Sequence, residues 1–226
     1  MSQDSHDFMR ANQLRHLPVY LLLDCSGSMS GDPITAVNEG VTMIRRELVN
    51  DPQALETVYI SIITFSSRAD QYQLTPIDQF RPPILSAGGS TAMGEAFRIL
   101  VQSIEQDLVL NQPPAQHGNY RPLVFLLTDG EPTDNYRDAV QKLQTLRGSR
   151  KPTIIALGCG SGVNTTMLHE VTENVYLMRN VTPQNLRNCF QWISSCIIQT
   201  AQAAASGSSQ TLMPPTSVPG ITYSPN

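Results

Sequence analysis

The chain is poor in charge and especially poor in lysine. Only 15% of its 226 residues are charged, and 19 acidic against 15 basic residues give a net charge of −4. The two lysines are Lys142 and Lys151, and no basic run is present that could follow a phosphate backbone. The composition therefore argues against nucleic acid as a partner and indicates a globular domain with a solvated surface.

Long apolar segments and paired cysteines are also missing. Residues 1–16 are polar and lack the apolar region of a secretory signal, and no apolar stretch reaches the roughly 18 residues that a membrane-spanning helix needs. The four cysteines include no CxxC pair, so we expect them to stay reduced. Cys189 and Cys196 share one helical face, which predicts packing in a core. We therefore expect a cytoplasmic protein without a membrane segment and with an N-terminal extension over 1–16.

Apolar runs and helical spacings alternate along the chain. The run over 17–23 is nearly continuous, as in a strand that is covered on both faces. Over 34–48 the apolar residues recur every three or four positions, which predicts an amphipathic helix. Further strands are predicted at 57–65, 69–77, 122–128, 153–158 and 175–178, and further helices at 92–110, 136–146, 165–171 and 183–204.

Strands that alternate with helices in this way predict an α/β fold. We expect a doubly wound, Rossmann-like, mainly parallel six-stranded sheet with helices on both faces, in a domain over 17–204. The strand at 69–77 follows its predecessor after too few residues for a crossover, so it should be an antiparallel edge strand. Residues 205–226 are rich in Ser, Pro and Gly and are predicted to form a disordered tail.

Five short polar side chains in three separated segments are the most informative feature of the sequence. They are Asp24, Ser26 and Ser28, directly after the first predicted strand, Thr91 after two glycines, and Asp129 at the end of another predicted strand. Ligands collect beyond the carboxyl ends of strands in such sheets, and oxygen ligands with few charges suit Mg²⁺, with Mn²⁺ or Ca²⁺ as alternatives. Taken singly, Thr91 and Asp129 predict capping or turn roles more often than metal binding. Together the five predict a metal site.

The three segments together resemble the metal-ion-dependent adhesion site of von Willebrand factor A domains. The resemblance spans nearly the whole predicted domain and implies that Ser26 and Ser28 contact the metal directly. It implies direct or water-mediated roles for Asp24 and Asp129, and a direct role for Thr91 when a partner is bound. The implied activity is protein interaction without catalysis, in which a partner protein supplies a carboxylate to the metal.

Within that family, residues 19–29, 33–38 and 126–134 resemble bacterial tellurite-resistance proteins of the TerY type. This resemblance implies a stress-response assembly with kinase- or phosphatase-like partners. Two alternatives stay open. One is an accessory subunit of an AAA ATPase or chelatase machine. The other is a hydrolase in which the metal activates water, although the sequence places no general base beside the cluster. Glu131 and Asp134 are predicted to be entry residues of the helix that follows them.

Overall fold

The strands of the protein form one sheet in a computed structural model, which describes residues 15–108, 118–206 and 218–225. The strands are β1 (Leu17–Asp24), β2 (Val58–Phe65), β3 (Ala69–Pro76), β4 (Leu123–Thr128), β5 (Thr153–Cys159), β6 (Val175–Met178) and β7 (Thr222–Ser224). Their order across the sheet is β3-β2-β1-β4-β5-β6-β7. β1, β2, β4, β5 and β6 are parallel, whereas β3 and β7 pair antiparallel with β2 and β6.

Six α-helices within the described ranges cover the two faces of this sheet. They are α1 (Asp32–Asn50), α2 (Pro52–Thr57), α3 (Met93–Asp107), α4 (Arg137–Thr145), α5 (Thr165–Val171) and α6 (Pro183–Ala205). One apolar core lies between the sheet and α1, α2 and α6, and the other lies between the sheet and α3, α4 and α5. No helix in the described ranges has the length and apolarity that a membrane crossing requires.

The central strand β1 explains how the two cores share one sheet. Successive side chains of a strand point to opposite faces, so Leu21 and Leu23 enter the first core while Tyr20 and Leu22 enter the second. All eight residues of β1 are buried. The near-continuous apolar run is therefore the signature of a strand with helices on both sides, as predicted.

The predicted fold class is confirmed, including the antiparallel edge strand β3. β1 has β2 on one side and β4 on the other, so the winding direction reverses between β1 and β4. The predicted neighbourhood of these two strands at the switch point is thereby confirmed. The two polar segments that follow them lie at the same end of the sheet.

The C-terminal tail corrects the sequence prediction. Disorder was predicted over 205–226, yet residues 222–224 form β7 and add a seventh strand with a second antiparallel edge. Ile221 is only 7% exposed and joins the first core. One apolar anchor and main-chain pairing thus give ordered structure to a segment whose composition predicts disorder. Helix α6 ends at Ala205, and residues 207–217 and 226 of the predicted tail lie outside the described ranges.

The predicted N-terminal extension lies largely outside the described residues, which begin at Arg15. Its last two residues contact the domain. The Arg15 guanidinium carbon lies 4.1 Å from the centre of the Tyr120 ring, and the rings of His16 and Tyr59 stack at 4.3 Å. The domain therefore begins at least two residues before β1.

Candidate metal centre

Side-chain oxygens from two separate segments meet at the carboxyl end of the sheet. β1 ends at Asp24 and its parallel neighbour β4 ends at Thr128, so the residues that follow each strand face one another. The Ser28 hydroxyl donates a hydrogen bond to Asp129 Oδ1 at 2.7 Å. Ser26 Oγ and Ser28 Oγ lie 3.1 Å apart. Three of the five predicted site residues thus form one connected cluster of oxygens.

Asp24 lies fully buried beneath this cluster. Its Oδ1 accepts a hydrogen bond from the Ser26 backbone N–H at 2.8 Å, and its Oδ2 accepts one from the Thr128 hydroxyl at 2.6 Å. Because each carboxylate oxygen can accept more than one contact, these bonds leave lone pairs for a metal ion or its water. Asp24 therefore fixes the turn that carries the serines and adds negative charge below them.

Burial governs the ionisation of the two side chains at the end of β1. It raises the pKa of Asp24, hydrogen bonds from Ser26 and Thr128 lower that pKa, and the charge of Asp129 raises it further. Burial together with the Asp24 charge raises the pKa of the Cys25 thiol to about 12. Cys25 packs in the first core, so it stays a neutral thiol that points back into the fold, as expected from the sequence.

Main-chain contacts hold the glycine-containing loop before α3 against the serine turn. The Gly27 N–H donates to the Gly89 carbonyl at 3.0 Å. Gly89 has a φ of +80°, and a Cβ at this position would lie 2.3 Å from Ser67 Oγ. Both observations require glycine here. The predicted Gly-Gly-Ser-Thr segment is therefore a fixed neighbour of the cluster.

Thr91, the predicted ligand of the remaining segment, lies close to the cluster without a hydrogen bond to it. Its hydroxyl is 3.5 Å from the position that a Cβ on Gly130 would occupy, which places it beside the turn after Asp129. Helix α3 has Ala92 as its N-cap and no side-chain cap from that residue. Asp134 accepts the first helical N–H groups instead. The structure thus contradicts the helix-capping alternative for Thr91.

Thr133 and Asp134 connect the Thr91 loop to the loop that follows β4. The Thr91 N–H donates to Thr133 Oγ1 at 3.1 Å, and the Thr133 N–H donates back to the Thr91 carbonyl at 2.9 Å. Asp134 accepts from the N–H of Gly94 at 2.7 Å and from the N–H of Glu95 at 2.8 Å. A carboxylate at a helix N-terminus satisfies unpaired N–H groups and the helix dipole. Two of the three ligand-bearing loops are therefore joined by four hydrogen bonds.

The sequence predicts the wrong helix for Asp134. Asp134 was expected to begin the helix that follows it, but it caps α3, which precedes it by about 40 residues. Arg98 of α3 also pairs with it at 3.1 Å. The local sequence does contain an acidic residue three positions before α4, and nothing in that pattern reveals the distant helix. Sequence reasoning therefore missed the residues that position Thr91.

The spacing of the oxygens fits a small divalent cation. Mg²⁺ binds oxygen at about 2.0–2.1 Å in octahedral geometry, so adjacent ligands lie roughly 2.9 Å apart. The separations between Ser28 Oγ and Asp129 Oδ1 and between the two serine hydroxyls are 2.7 and 3.1 Å. Two carboxylates supply the charge that such an ion needs. The donor set thus suits a hard cation that retains water.

The described residues contain no alternative metal site built from His, Cys, Asp and Glu. Within the described ranges, no group of three or more His, Cys, Asp and Glu side chains is placed to hold a metal ion. The two described histidines lie elsewhere: His16 stacks on Tyr59 at the amino end of β2, and His169 lies against Ser224 of β7. The capacity for metal at the carboxyl end of the sheet therefore rests on serine hydroxyls together with two carboxylates.

Comparison with known sequences gives one family and one curated relative. The sequence profile of the von Willebrand factor type A domain matches residues 19–191. An uncharacterized protein of Synechocystis sp. is 29% identical over 176 residues, which cover 74% of this chain and 37% of the relative. The chain thus spans little more than a third of the length of the curated relative that it matches.

Solved structures share the fold at low sequence identity. A von Willebrand factor type A protein from Catenulispora acidiphila has a TM-score of 0.59 and 17% identity, over 81% of this chain and 43% of that one. Proximal thread matrix protein 1 from the mussel byssus, in a structure with a zinc-occupied MIDAS motif, has a TM-score of 0.52 and 17% identity, over 93% of this chain and 47% of its own. These similarities show that the chain has the same fold as these proteins.

Proposed function

The chain belongs to the von Willebrand factor type A domain family, and on that premise we propose that it is a metal-ion-dependent protein-interaction module. The observation that carries the proposal is the contact between Ser28 and Asp129, with Ser26 beside them, at the carboxyl end of the sheet. This cluster would hold a divalent cation through two hydroxyls and a carboxylate. Bound there, the cation supplies a Lewis-acidic coordination position for an oxygen ligand.

A donor set with only two carboxylates leaves the metal open to an acidic side chain of a partner protein. Asp24 and Asp129 together balance one divalent ion, so the local charge after metal binding is close to zero. An incoming Asp or Glu can replace a bound water and contribute both charge and a ligand. Ser28 is exposed and Asp129 half-buried, so a partner can reach the cluster from solvent. We propose that Thr91, whose hydroxyl lies beside Gly130, joins the metal when the partner arrives.

We propose that the module acts by binding and not by catalysis. Hydrolysis at a metal centre needs a group that accepts a proton from the attacking water. Asp24, the carboxylate beneath the cluster, is fully buried and accepts from the Ser26 N–H and the Thr128 hydroxyl, and the two described histidines lie away from the cluster. Turnover of a phosphate ester that is lost in Asp129→Ala would contradict this part of the proposal.

A narrower proposal concerns the assembly that contains the partner. Its support is the resemblance of three sequence segments to tellurite-resistance proteins of the TerY type, which implies a cytoplasmic stress-response assembly with kinase- or phosphatase-like partners. The alternative is an accessory subunit of an AAA ATPase or chelatase machine, with the same metal centre. Affinity purification with Mg²⁺ or with chelator separates the two, because chelator-sensitive recovery of a ring ATPase would contradict the first.

The proposed metal binding is tested by thermal unfolding with Mg²⁺, Mn²⁺ or Ca²⁺. A ligand that binds only the folded state stabilises it by RT ln(1 + [L]/Kd), about 2.7 kcal/mol at a hundredfold excess over Kd. We expect saturable stabilisation of the wild-type protein and none of Asp129→Ala. Asp78→Ala is the matched control, since Asp78 is an exposed aspartate away from the cluster. A wild-type protein whose melting temperature is unchanged by millimolar Mg²⁺, Mn²⁺ and Ca²⁺ would exclude the proposal.

A further inference from the structure

The last eight described residues, 218–225, lie on the sheet as a docked peptide would. β7 pairs with β6 through three residue pairs, from Leu177 with Thr222 to Val175 with Ser224. Ile221 is buried in the first core, and Val218 packs against that core while partly exposed. Main-chain pairing with an edge strand and apolar side chains in pockets are the two elements of strand-addition recognition.

Gly220 packs tightly against the domain in this docked segment. Its φ is +83°, and a Cβ here would lie 2.5 Å from the Asn185 side chain at the start of α6. The Asn185 amide donates to the Asn180 carbonyl at 2.8 Å, so it cannot easily move aside. The surface formed by β6 and the first turns of α6, which we call the tail groove, thus selects glycine before the buried isoleucine.

The polar contacts across the tail groove are long. Ordinary hydrogen bonds measure about 2.7–3.2 Å. The side-chain contacts of the tail with the domain lie between 3.3 and 3.5 Å. They join Asn188 to Pro219, Thr222 to Leu177, Tyr223 to Glu173, and His169 to Ser224. Tyr223 itself is 53% exposed. The tail is therefore held mainly by one apolar anchor and three strand pairs.

The length of the connection favours exchange of the tail between copies. Pro219 contacts Asn188, whereas α6 ends at Ala205, about 26 Å further along the helix at 1.5 Å per residue. Twelve steps of chain join Ser206 to Val218 and reach roughly 40 Å when fully extended. The return to the chain's own groove thus uses about two thirds of the available length. A connection with limited slack promotes exchange of an identical element between copies.

We propose that the tail groove is a peptide-docking site, filled by the chain's own tail, that takes the tail of a second copy when the two exchange. The recognised pattern is an extended segment with an apolar residue, Gly-Ile and a tyrosine two residues later. No hydrogen bond among the described residues joins the groove or residues 218–225 to the oxygen cluster, so this inference does not depend on the proposed metal binding.

The chain contains a single tryptophan that reports on the tail groove. Trp192 lies 5.2 Å from Tyr176 between ring centres, and Tyr176 lies 5.5 Å from Tyr223 of the tail. The full-length Gly220→Val variant should release the tail, because valine is strained at positive φ and collides with Asn185. Gly162→Val is the matched control, since a Cβ on Gly162 meets nothing within 4 Å.

The experiment titrates a synthetic peptide of residues 218–225 into each full-length protein with chelator present. We expect saturable recovery of the Trp192 emission in Gly220→Val, and binding at least tenfold weaker for a peptide with Ile221→Ser. Wild-type and Gly162→Val proteins should not respond, because the tethered tail has a high effective concentration. Should Gly220→Val not fold, full-length Ile221→Ser takes its place as the acceptor. A folded acceptor that does not bind the peptide overturns the proposal.

Sedimentation velocity tests whether two copies of the chain exchange their tails. We expect concentration-dependent dimers of the wild-type protein after refolding at high concentration, at least tenfold less abundant in Gly220→Val. Wild-type protein that stays monomeric under these conditions overturns the exchange. If the peptide nevertheless binds the acceptor, the occupant in trans would be a tail-like segment of another protein and not a second copy.

Discussion

The oxygen cluster and the tail groove lie in the same domain but are stabilised in different ways. At the cluster, the hydrogen bonds range from 2.6 Å between Thr128 and Asp24 to 3.1 Å between Ser26 and Ser28. At the groove, the corresponding side-chain contacts are 3.3–3.5 Å. Residues from three chain segments thus fix the cluster before any ligand binds, whereas the tail depends on one buried side chain and three strand pairs.

This difference separates a preorganised site from an exchangeable one. Fixed donors and acceptors reduce the entropy that a bound ligand must lose, so the cluster is suited to selective ligation by a small ion. Weakly held strands at a sheet edge have low local stability, so they open and re-pair. The predictions that follow test whether the two regions respond separately to substitution, from the largest expected effect to the smallest.

Asp24→Ala should have the largest effect on the free energy of unfolding. The substitution leaves the Thr128 hydroxyl and the Ser26 N–H without their buried acceptor, which should cost about 2–4 kcal/mol. It should also abolish stabilisation by Mg²⁺. Urea unfolding with and without the ion measures both changes, and Asp78→Ala should change neither. Retention of the metal effect in Asp24→Ala would show that Asp24 does not support the cluster.

Ile221→Ser should have an intermediate effect that is confined to the tail groove. Loss of the buried side chain should cost about 1–2 kcal/mol, limited by the free energy with which the tail docks. Urea unfolding measures this cost, and the stabilisation by Mg²⁺ should equal that of the wild type. A changed metal affinity would contradict the separation of the two regions. So would a loss of stability as large as that of Asp24→Ala.

Asp134→Asn should weaken metal binding with a smaller effect on unfolding. An amide can accept from only one of the two α3 N–H groups that Asp134 now satisfies. The Thr91 loop should then lose order, and the Kd for Mg²⁺ should rise about fivefold, equivalent to about 1 kcal/mol. Calorimetric titration measures the Kd, with Asp138→Asn on the exposed face of α4 as the control. An unchanged Kd would show that the cap serves α3 alone.

Glu170→Gln should have the smallest effect on stability, and this effect should appear only at acidic pH. Hydrogen bonds from Tyr136 and Arg137 hold the pKa of Glu170 below its usual value. A carboxylate with a lowered folded-state pKa stabilises the protein above its unfolded-state pKa of about 4.3 and loses that contribution as pH falls. Wild-type stability should therefore fall more steeply than that of Glu170→Gln below about pH 5. Parallel pH profiles would show that this exposed contact contributes nothing.

The sequence predicts the cluster well because its determinants are local. Each ligand segment carries its own signal: a buried strand that ends in Asp24, two glycines before Thr91, and an Asp-Gly turn after β4. Parallel strands then bring their carboxyl ends together by topology alone. The structure places Ser26, Ser28 and Asp129 in contact as that argument requires, while their role as metal ligands stays a prediction.

The tail and Asp134 could not be predicted because their partners are distant in sequence. Composition describes 205–226 as a disordered tail, yet Ile221 finds a pocket beside β6 that no local pattern reveals. Asp134 likewise has the spacing of a residue that enters α4, but its acceptors are satisfied by α3. Tertiary contacts override local preference at both positions. Both errors concern single side chains that complete the fold.

The hydrogen bond from Ser28 to Asp129 has a consequence for the orientation of the serine proton. A hydroxyl group is a rotor, and its oxygen can bind a cation only when its hydrogen points elsewhere. In the structure the Ser28 hydrogen points toward Asp129. If Ser28 ligates an ion through a lone pair, this hydrogen can keep its bond to Asp129, because it already points away from the ion. The serine proton then links the two ligand side chains to each other, and an arriving carboxylate meets the positive ion without an O–H from Ser28.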